Sequence, residues 1–493
     1  IELEINSTSA FAEGETFGEV GSYKYVEGIA HFAVDPNNAR NQAITDIELA
    51  PRDSHGRVRF SSNFALLQPE DPTKGNHSLL FDVCNRGRKT SLGFNGVPTA
   101  SDPLTPLQAG SGFLMRRGYT LVWCGWQADV PPTPGLIGMQ APEAMDADGH
   151  LTGSIMCQLQ GDSPTNVFLL AHRNHLPHSP MDMDDPSAVL TVRDHPNSPA
   201  TTIDRGQWSF VRVEDSQQEP NPNHIYMPSG FQPGKMYQVV YRTAVSWIVG
   251  LGFAAVRDTV SFLKHAPTEA GNPCAEYIQR AHGFGRSQSG RFLREMIYLG
   301  LNEDEEERIA LDGIMPLVGG GMRGEFNLRF GQPSQDICFT IPELFPFTDT
   351  DQTDPVTGNN GALLARAEAR NQAPKIMFIN TSAEYWRGDA ALIHTDLETM
   401  TDAPESDNVR RYHYAGCQHG PGDFPPLEIR PDGLKGQLPF NSVDYGPLLR
   451  ASLESLDRWV ATGEAPPDSR HPSLNDGTAV ESCTLLEAFS KVP

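Results

Sequence analysis

The sequence predicts an α/β protein with a mostly parallel central sheet flanked by helices, and two observations predict it. First, an apolar run at 78–83 is followed by a helix-like segment at 112–117 and a second apolar run at 119–124, which together form a strand–helix–strand unit. Second, a strand at 277–283 runs through a glycine-rich turn directly into a helix at 291–298. Short apolar runs of this kind are typical of strands buried on both faces.

Ahead of this core, the N-terminal stretch predicts a β-hairpin region. Residues 29–34 form a strand-like segment that ends at an Asp-Pro-Asn-Asn turn. Residues 44–49 and 58–60 flank an Asp-Ser-His-Gly turn at 53–56. Two strand-like runs around a turn of this composition predict a hairpin.

Between the two halves of the predicted core lies a stretch of different composition. Residues 130–240 are rich in Pro, Asp, Asn and His and contain only short strand candidates, such as 208–213. We therefore expect a large β-rich or irregular insertion here, with the run at 237–241 leading back into the core.

The second half of the chain resumes the alternation of helices and strands. Apolar residues recur at helical spacing over the second half of 245–263. Further strands are predicted at 311–315 and 375–379, and an amphipathic helix at 448–460. The predicted division of the chain is 1–129 for the N-terminal strands and the first half of the core, 130–240 for the insertion or cap, and 241–493 for the second half of the core, which carries the candidate catalytic residues.

Charge and hydropathy exclude several classes of function. The 493 residues include 62 acidic and 38 basic side chains, a net charge of −24, which repels nucleic acids and anionic membranes. No apolar run approaches the roughly 18 residues that a bilayer crossing needs, so we expect a soluble protein. The sequence does not indicate an oligomeric state.

Cysteine usage and the N-terminus bear on the compartment. The seven cysteines include no Cys-x-x-Cys pair, so no zinc or redox motif is indicated. The chain begins at Ile1 with no visible signal peptide, as expected of a mature secreted form or a trimmed chain. These features favour a periplasmic or secreted location over a cytoplasmic one, where one or two disulfides would be compatible with the sequence.

The glycine-rich turn at 285–290, Gly-Arg-Ser-Gln-Ser-Gly, predicts a nucleophilic serine. A serine Oγ projects from a strand-to-helix turn only if the residues two before and two after it are small. Ser287 meets this condition with Gly285 and Ser289, whereas Ser289 would have the long side chain of Arg291 ahead of it. The pattern favours Ser287, with the backbone N–H of Gln288 donating to the oxyanion. An ordinary Gly/Ser turn is the alternative, since the spacing of a phosphate-binding loop is absent.

An acid and a histidine follow the serine in the order that this type of catalytic triad requires. The strand at 375–379 leads into a loop with two candidate acids, Glu384 and Asp389, of which Glu384 lies nearer the strand end. His419 follows a later strand among small residues, whereas His413 lies inside that strand and is predicted to be structural. The sequence thus predicts Ser287 as nucleophile, His419 as base and Glu384 as acid.

The loop after the first core strand normally supplies the second oxyanion donor. Here that loop contains Asn85 and Arg86, and the Arg86 side chain can add a charge-assisted contact. A surface salt bridge is the alternative role for Arg86.

Several segments together resemble a large bacterial family of "alpha/beta hydrolase domain" proteins. They include Asn-Arg-Gly at 85–87, Gly-Trp-Gln at 125–127, the turn at 285–290, Asn-Thr-Ser-Ala-Glu-Tyr-Trp at 380–386 and Gln-His-Gly-Pro at 418–421, with further matches at 46–52, 230–234 and 252–258. The resemblance implies an α/β-hydrolase fold and a serine hydrolase that cleaves carboxylic esters of poorly defined structure without a cofactor. It implies the same three catalytic residues.

The sequence offers three candidate substrate contacts and two alternative functions. Trp386 and Phe326 suit an apolar part of an ester and Arg323 suits a carboxylate, although core, lid or surface roles explain them equally well. A metal-dependent hydrolase is a second possibility, because His172, His175 and His178 are ligand types for zinc. A non-catalytic binding protein on a hydrolase scaffold is the third.

Overall fold

The computed structural model describes residues 1–147, 149–196, 198–214, 217–335, 345–386, 389–429, 435–436 and 438–491. The strands of the first half are β1 (Glu2–Ala10), β2 (Tyr23–Val34), β3 (Val58–Pro69), β4 (Ser78–Asp82), β5 (Thr120–Cys124) and β6 (Met139–Gln140). The cap strands are β7 (Met145–Asp146), β8 (Gly149–His150), β9 (Gly153–Leu159), β10 (Thr165–Leu169), β11 (Val189–Arg193), β12 (Thr201–Ile203), β13 (Val211–Glu214), β14 (Gln217–Pro220), β15 (His224–Phe231) and β16 (Met236–Thr243).

The strands of the second half are β17 (Arg280–Arg286), β18 (Gly313–Leu317), β19 (Gln352–Thr353), β20 (Asn360–Gly361), β21 (Lys375–Thr381), β22 (Thr395–Asp396), β23 (Thr401–Asp402) and β24 (Val409–Tyr414). The helices are α1 (Phe113–Arg116), α2 (Leu251–His265), α3 (Gln288–Leu299), α4 (Ala365–Glu368), α5 (Ser382–Trp386), α6 (Gly446–Thr462) and α7 (Ser482–Phe489). None of these described helices combines the length and apolar content that a membrane crossing requires.

A ten-stranded mixed sheet of described residues forms the centre of the molecule. Its order is β1-β2-β3-β5-β4-β17-β18-β21-β24, with β6 added to β3. The strands from β5 to β24 in this order pair in parallel, whereas β1, β2, β3 and β5 are joined by antiparallel pairs. Strands β4, β5 and β18 are buried along their whole length, which explains their short apolar runs. The predicted α/β architecture with a mostly parallel sheet is confirmed.

Helices cover both faces of the sheet around β17. A side chain at Gly283 would contact Leu293 of α3, while the next residue back, His282, bonds Asp457 of α6 at 2.8 Å. Because successive residues of a strand point to opposite faces, α3 and α6 lie on opposite sides of β17. The carboxyl ends of β17, β18 and β21 therefore lie at one edge of a sheet that is packed on both faces.

The cap strands enclose a hydrophobic cluster of their own. A four-stranded sheet, β12-β11-β16-β9, contributes buried residues such as Leu190, Val239 and Tyr241, and Phe330 from the second half packs against them. The run at 237–241 lies within β16, the last strand of this cap sheet along the chain, and α2 follows it. The predicted domain boundaries at 129/130 and 240/241 stay predictions.

The strand predicted at 44–49 is wrong. Residues Ile47–Leu49 form a short 3-10 helix, and Asp46 before it has a left-handed backbone with φ of 62°. The carboxylate of Asp46 accepts hydrogen bonds from the guanidinium of Arg329, including one of 2.8 Å from Nε. This partner, distant in sequence, stabilises a turn where the local pattern favours a strand.

The six described cysteines are free thiols, and Cys338 lies outside the described residues.

The partly buried carboxyl of Glu325 has a shifted pKa. Glu325 accepts the N–H of Gln332 at 3.1 Å, and burial raises the pKa of its carboxyl to about 7. An unfolded Glu loses its proton near pH 4.5, so this group stabilises the fold below that pH, and the contribution is lost as pH rises towards 7.

We expect Glu325→Gln to remove this pH dependence, because Gln is neutral at every pH and still accepts the Gln332 N–H. The free energy of unfolding in urea should match the wild type near pH 4.5 and exceed it at pH 8.5. The gain has an upper bound of about 3 kcal/mol, since the side chain keeps partial contact with solvent. An equal difference between the two proteins at both pH values would contradict this expectation.

Candidate active site

Ser287 occupies a strained turn between strand β17 and helix α3. Its φ of 59° and ψ of −117° lie outside the regions that a non-glycine residue normally adopts. The turn is held by the Ser287 N–H, which donates to the carbonyl of Leu317 at 2.8 Å, and by the Arg291 N–H, which donates to the Ser287 carbonyl at 3.1 Å. The side chain of Ser287 is partly exposed, as the predicted nucleophile must be.

The residues around Ser287 explain why small side chains are needed here. A Cβ added to Gly285 would overlap the backbone carbonyl of Ser289, so glycine is required at that position. Ser289 itself is fully buried, and its Oγ has no hydrogen-bond partner among the described residues. Because no substrate reaches a fully buried hydroxyl, Ser289 acts as a small spacer, and Ser287 is the serine that the turn presents.

Glu384 and His419 form a short hydrogen bond at the same edge of the sheet. The distance from Glu384 Oε1 to His419 Nδ1 is 2.6 Å. The other carboxylate oxygen accepts the backbone N–H of Thr381 at 2.9 Å and its hydroxyl at 2.6 Å. A carboxylate only accepts, which assigns the imidazole proton to Nδ1 and leaves the lone pair on Nε2.

The charge of the Glu384 carboxylate is maintained despite its burial. Burial by itself raises its pKa, but the hydrogen bond and charge of His419, followed by the bonds from Thr381, outweigh burial and lower the pKa overall. The carboxylate is therefore ionised at neutral pH and stabilises a positive charge on the neighbouring imidazole.

The backbone of His419 is held next to the serine turn. Its carbonyl accepts a hydrogen bond of 3.1 Å from the Tyr445 hydroxyl and one of 3.4 Å from the Arg286 guanidinium. Arg286 directly precedes Ser287, so this contact brings the histidine loop to the strand end that carries the serine.

The second candidate acid, Asp389, lies elsewhere. Its carboxylate is fully buried, 3.7 Å from the guanidinium of Arg291 and close to Gly320, where a side chain would collide with it. The described contact of the His419 imidazole is with Glu384 instead. This geometry favours Glu384 over Asp389 as the acid.

The predicted oxyanion donors differ in whether their backbone N–H groups already have a hydrogen-bond acceptor. Gln288 is the first residue of α3, where a backbone N–H has no acceptor within the helix. The Asn85 N–H donates to the Arg88 carbonyl at 2.9 Å, and the Arg86 N–H donates to Gln127 Oε1 at 2.9 Å. Both N–H groups of the 85–86 loop are thus already engaged, and their part in an oxyanion hole stays a prediction.

Two of the three predicted substrate residues serve the core. The Arg323 guanidinium is buried, bonds both Glu295 oxygens at 2.8 Å and lies 3.9 Å from the centre of the Tyr298 ring. Phe326 is buried against Trp126 and Phe292. These contacts correct the expectation that Arg323 and Phe326 bind substrate, because neither side chain is accessible to it.

Trp386, the third predicted substrate residue, is 47% exposed and ends the helix that carries Glu384. Its ring centre lies 5.9 Å from that of Phe489 in α7. An exposed aromatic ring two residues from the candidate acid remains suited to an apolar part of a substrate.

The three histidines of the metal hypothesis have other environments. His172 Nε2 is 2.9 Å from the Gln158 carbonyl, and His175 Nδ1 is 3.1 Å from the Arg173 carbonyl. His178 packs edge-on against the Trp247 ring, and burial lowers its pKa to about 4. Within the described ranges, no three His, Cys, Asp or Glu side chains come together as metal ligands.

Sequence reasoning missed the residues that support the site. Thr381 and Tyr445 hold the acid and the histidine loop, and Gln127 accepts the Arg86 N–H. Thr381 and Gln127 both lie inside the segments that carry the family resemblance. Their position there was a usable signal, although it did not indicate what they contact.

A strained serine at a strand-to-helix turn, on a mostly parallel sheet covered on both faces, defines an α/β-hydrolase. The family model described as "Alpha/beta hydrolase domain" matches residues 198–483, more than half of the chain, and the protein belongs to that family. Comparison with curated proteins gave no match.

Three solved structures are similar to the chain at low identity. Est1E from Butyrivibrio proteoclasticus with bound ferulic acid is 9% identical, with a TM-score of 0.25 over 74% of this chain and 89% of that one. The peroxisomal alpha-beta-hydrolase Lpx1 from Saccharomyces cerevisiae is 9% identical, with a TM-score of 0.30 over 94% of this chain and 95% of that one. A variant of the rice cell wall degrading esterase LipA from Xanthomonas oryzae is 10% identical, with a TM-score of 0.30 over 85% of this chain and 91% of that one.

Proposed function

We propose that this hydrolase cleaves carboxylic esters through an acyl-enzyme intermediate, with Ser287 as nucleophile, His419 as base and Glu384 as acid. One observation carries the proposal: the 2.6 Å pair of Glu384 and His419 lies at the sheet edge that presents the strained, partly exposed Ser287. Family membership supports hydrolysis, and the geometry of these residues supports the serine mechanism.

Acylation begins when Ser287 Oγ attacks the ester carbonyl carbon while His419 Nε2 takes its proton. The carbonyl π electrons move to oxygen, and the Gln288 N–H stabilises the resulting oxyanion. When the carbonyl re-forms, the bond to the alcohol oxygen breaks and His419 protonates the leaving alkoxide. The acyl group then remains on Ser287 and His419 is neutral again.

Deacylation repeats these steps with water as the nucleophile. His419 takes a proton from the attacking water, and Ser287 leaves with that proton after the second oxyanion collapses. The acid is released and the enzyme returns to its starting state. In both half-reactions Glu384 holds the imidazole proton on Nδ1 and offsets the positive charge that forms on the ring.

Contacts of the ester with Asn85 and Arg86 belong to this proposal, as does an apolar contact with Trp386. The exposed ring at Trp386 offers a surface for an acyl chain or an aryl group near the candidate acid. Asn85 lies close to the serine turn, because its side chain donates to the Arg286 carbonyl at 2.7 Å, and Arg86 is its neighbour in the chain.

Covalent labelling tests the mechanism directly. We expect an aryl fluorophosphonate to inactivate the protein with a stoichiometry of one and to modify Ser287, identified by mass spectrometry of the digest. p-Nitrophenyl esters of graded acyl length should be hydrolysed by the unlabelled protein only. Labelling elsewhere, or full hydrolysis after complete labelling, would contradict the proposal, whereas a metal hydrolase would lose its activity to a chelator instead.

A further inference from the structure

A network of buried hydrogen bonds connects the two predicted oxyanion segments through Asp129. Asp129 is fully buried, and it is not part of the Ser287, Glu384 and His419 set. Its Oδ1 accepts the side-chain amide of Gln127 at 3.2 Å, and its Oδ2 accepts the backbone N–H of Ser334 at 2.7 Å. Both of these partners contact Arg86, so the carboxylate acts on Arg86 along two routes.

The first route fixes the backbone of Arg86. A carboxylate only accepts hydrogen bonds, so it turns the Gln127 amide with its NH2 group towards Asp129. The amide oxygen of Gln127 then points the other way, where it accepts the Arg86 N–H at 2.9 Å. Arg86 needs such support because its φ of 52° is left-handed and strained for a residue with a side chain.

The second route fixes the side chains of Arg86 and Gln288. The Ser334 carbonyl accepts Nε and Nη2 of Arg86 at 3.1 and 3.0 Å. The preceding carbonyl, that of Pro333, accepts the side-chain amide of Gln288. The segment 333–334 therefore contacts both residues predicted to surround the oxyanion, and Asp129 holds this segment through the Ser334 N–H.

We propose that Asp129 is a positioning residue for the oxyanion hole, an inference that rests on the proposed ester hydrolysis. It does not touch the reacting atoms. It orients the Gln127 amide and the 333–334 segment, and these hold the Arg86 loop and Gln288 beside Ser287. Oxyanion stabilisation depends on donors fixed in advance, so a loosened Arg86 loop and Gln288 weaken binding of the transition state more than binding of the ester.

Asp129→Asn tests the proposal, because Asn keeps the volume but presents an NH2 group to one of two donors. The Gln127 amide then reverses or Ser334 loses its acceptor. We expect kcat for p-nitrophenyl ester hydrolysis, counted per fluorophosphonate-titrated site, to fall about 10- to 100-fold with KM within about 3-fold. Affinity for an aryl boronic acid, which binds as a tetrahedral anion, should fall with kcat.

Asp457→Asn is the matched control for a purely structural effect. Asp457 is also an internal carboxylate with several donors, but its partners Arg280 and His282 lie at the opposite end of β17 from Ser287. That end is roughly 20 Å away at about 3.3 Å per residue. This variant should lose stability while it keeps kcat and boronate affinity.

A second variant covers the case in which Asp129→Asn does not fold. Gln127→Met leaves the bond from Asp129 to Ser334 intact and removes only the first route, with an expected loss in kcat of about 5- to 10-fold. Wild-type kcat and boronate affinity in a folded Asp129→Asn or Gln127→Met protein would overturn the positioning role. Wild-type behaviour of these variants would not contradict the proposed ester hydrolysis if Ser287→Ala is inactive in the same assay.

Discussion

Ser287→Ala is expected to lower kcat for p-nitrophenyl ester hydrolysis by about 10⁴-fold or more and to abolish fluorophosphonate labelling. The hydroxyl that attacks the carbonyl is removed, so any remaining turnover comes from water held in the site. The fold should survive, because Ala is smaller than Ser and Ser287 is only partly buried. Initial rates at saturating ester, together with a thermal unfolding scan, measure both effects.

Ser289→Ala is the control, since it removes the same atom two residues away. The Oγ of Ser289 is buried and makes no hydrogen bond to the described residues, and Ala still satisfies the need for a small residue next to Gly285. We therefore expect wild-type kcat within about 3-fold and unchanged labelling. Loss of activity in Ser289→Ala with retention in Ser287→Ala would reverse the assignment of the nucleophile.

The parts of the fold that could be predicted from the sequence are those with a local cause. Strands β4, β5 and β21 are short apolar runs because both of their faces are covered, and such runs are visible without knowledge of their neighbours. The turn at Ser287 was equally predictable, since its steric demand falls on residues only two positions away. Local patterns therefore indicated the sheet and the serine turn correctly.

Errors arose where a distant partner decides the structure. The segment at 44–49 turns because Asp46 binds Arg329, 283 residues further on. Arg323 and Phe326 are predicted as substrate contacts from their side-chain chemistry alone, a guanidinium for a carboxylate and a ring for an apolar group. They are core residues because Glu295 and Trp126 meet them in space.

The same limit applies to the candidate site. Glu384 and Asp389 both follow β21 within a few residues, and only the nearness of Glu384 to the strand end favoured it, whereas its contact with His419 is a three-dimensional fact. Asp129 was not predicted either, since its bond to Ser334 spans 205 residues. The role of a buried carboxylate becomes visible only when the groups that donate hydrogen bonds to it are known in three dimensions.

The second large effect is expected for Glu384→Gln, which should lower kcat by about 10³- to 10⁴-fold with little change in KM. Thr381 donates two hydrogen bonds to Oε2, so the single oxygen of Gln will face Thr381. Its NH2 group then faces His419 Nδ1, which can only accept if the imidazole proton moves to Nε2. In that tautomer Nε2 carries the proton and has no lone pair with which to take the proton from Ser287.

Asp389→Asn separates this effect from the general loss of a buried carboxylate near the site. Asp389 lies beside Arg291, and the described carboxylate at the His419 imidazole is that of Glu384, so we expect the Asp389 variant to lose stability but keep kcat per labelled site within about 3-fold. The opposite pattern, an active Glu384→Gln and an inactive Asp389→Asn, would make Asp389 the acid. Because the Gln amide has only one stable orientation against Thr381, Glu384→Gln tests the tautomer of His419 as well as the charge.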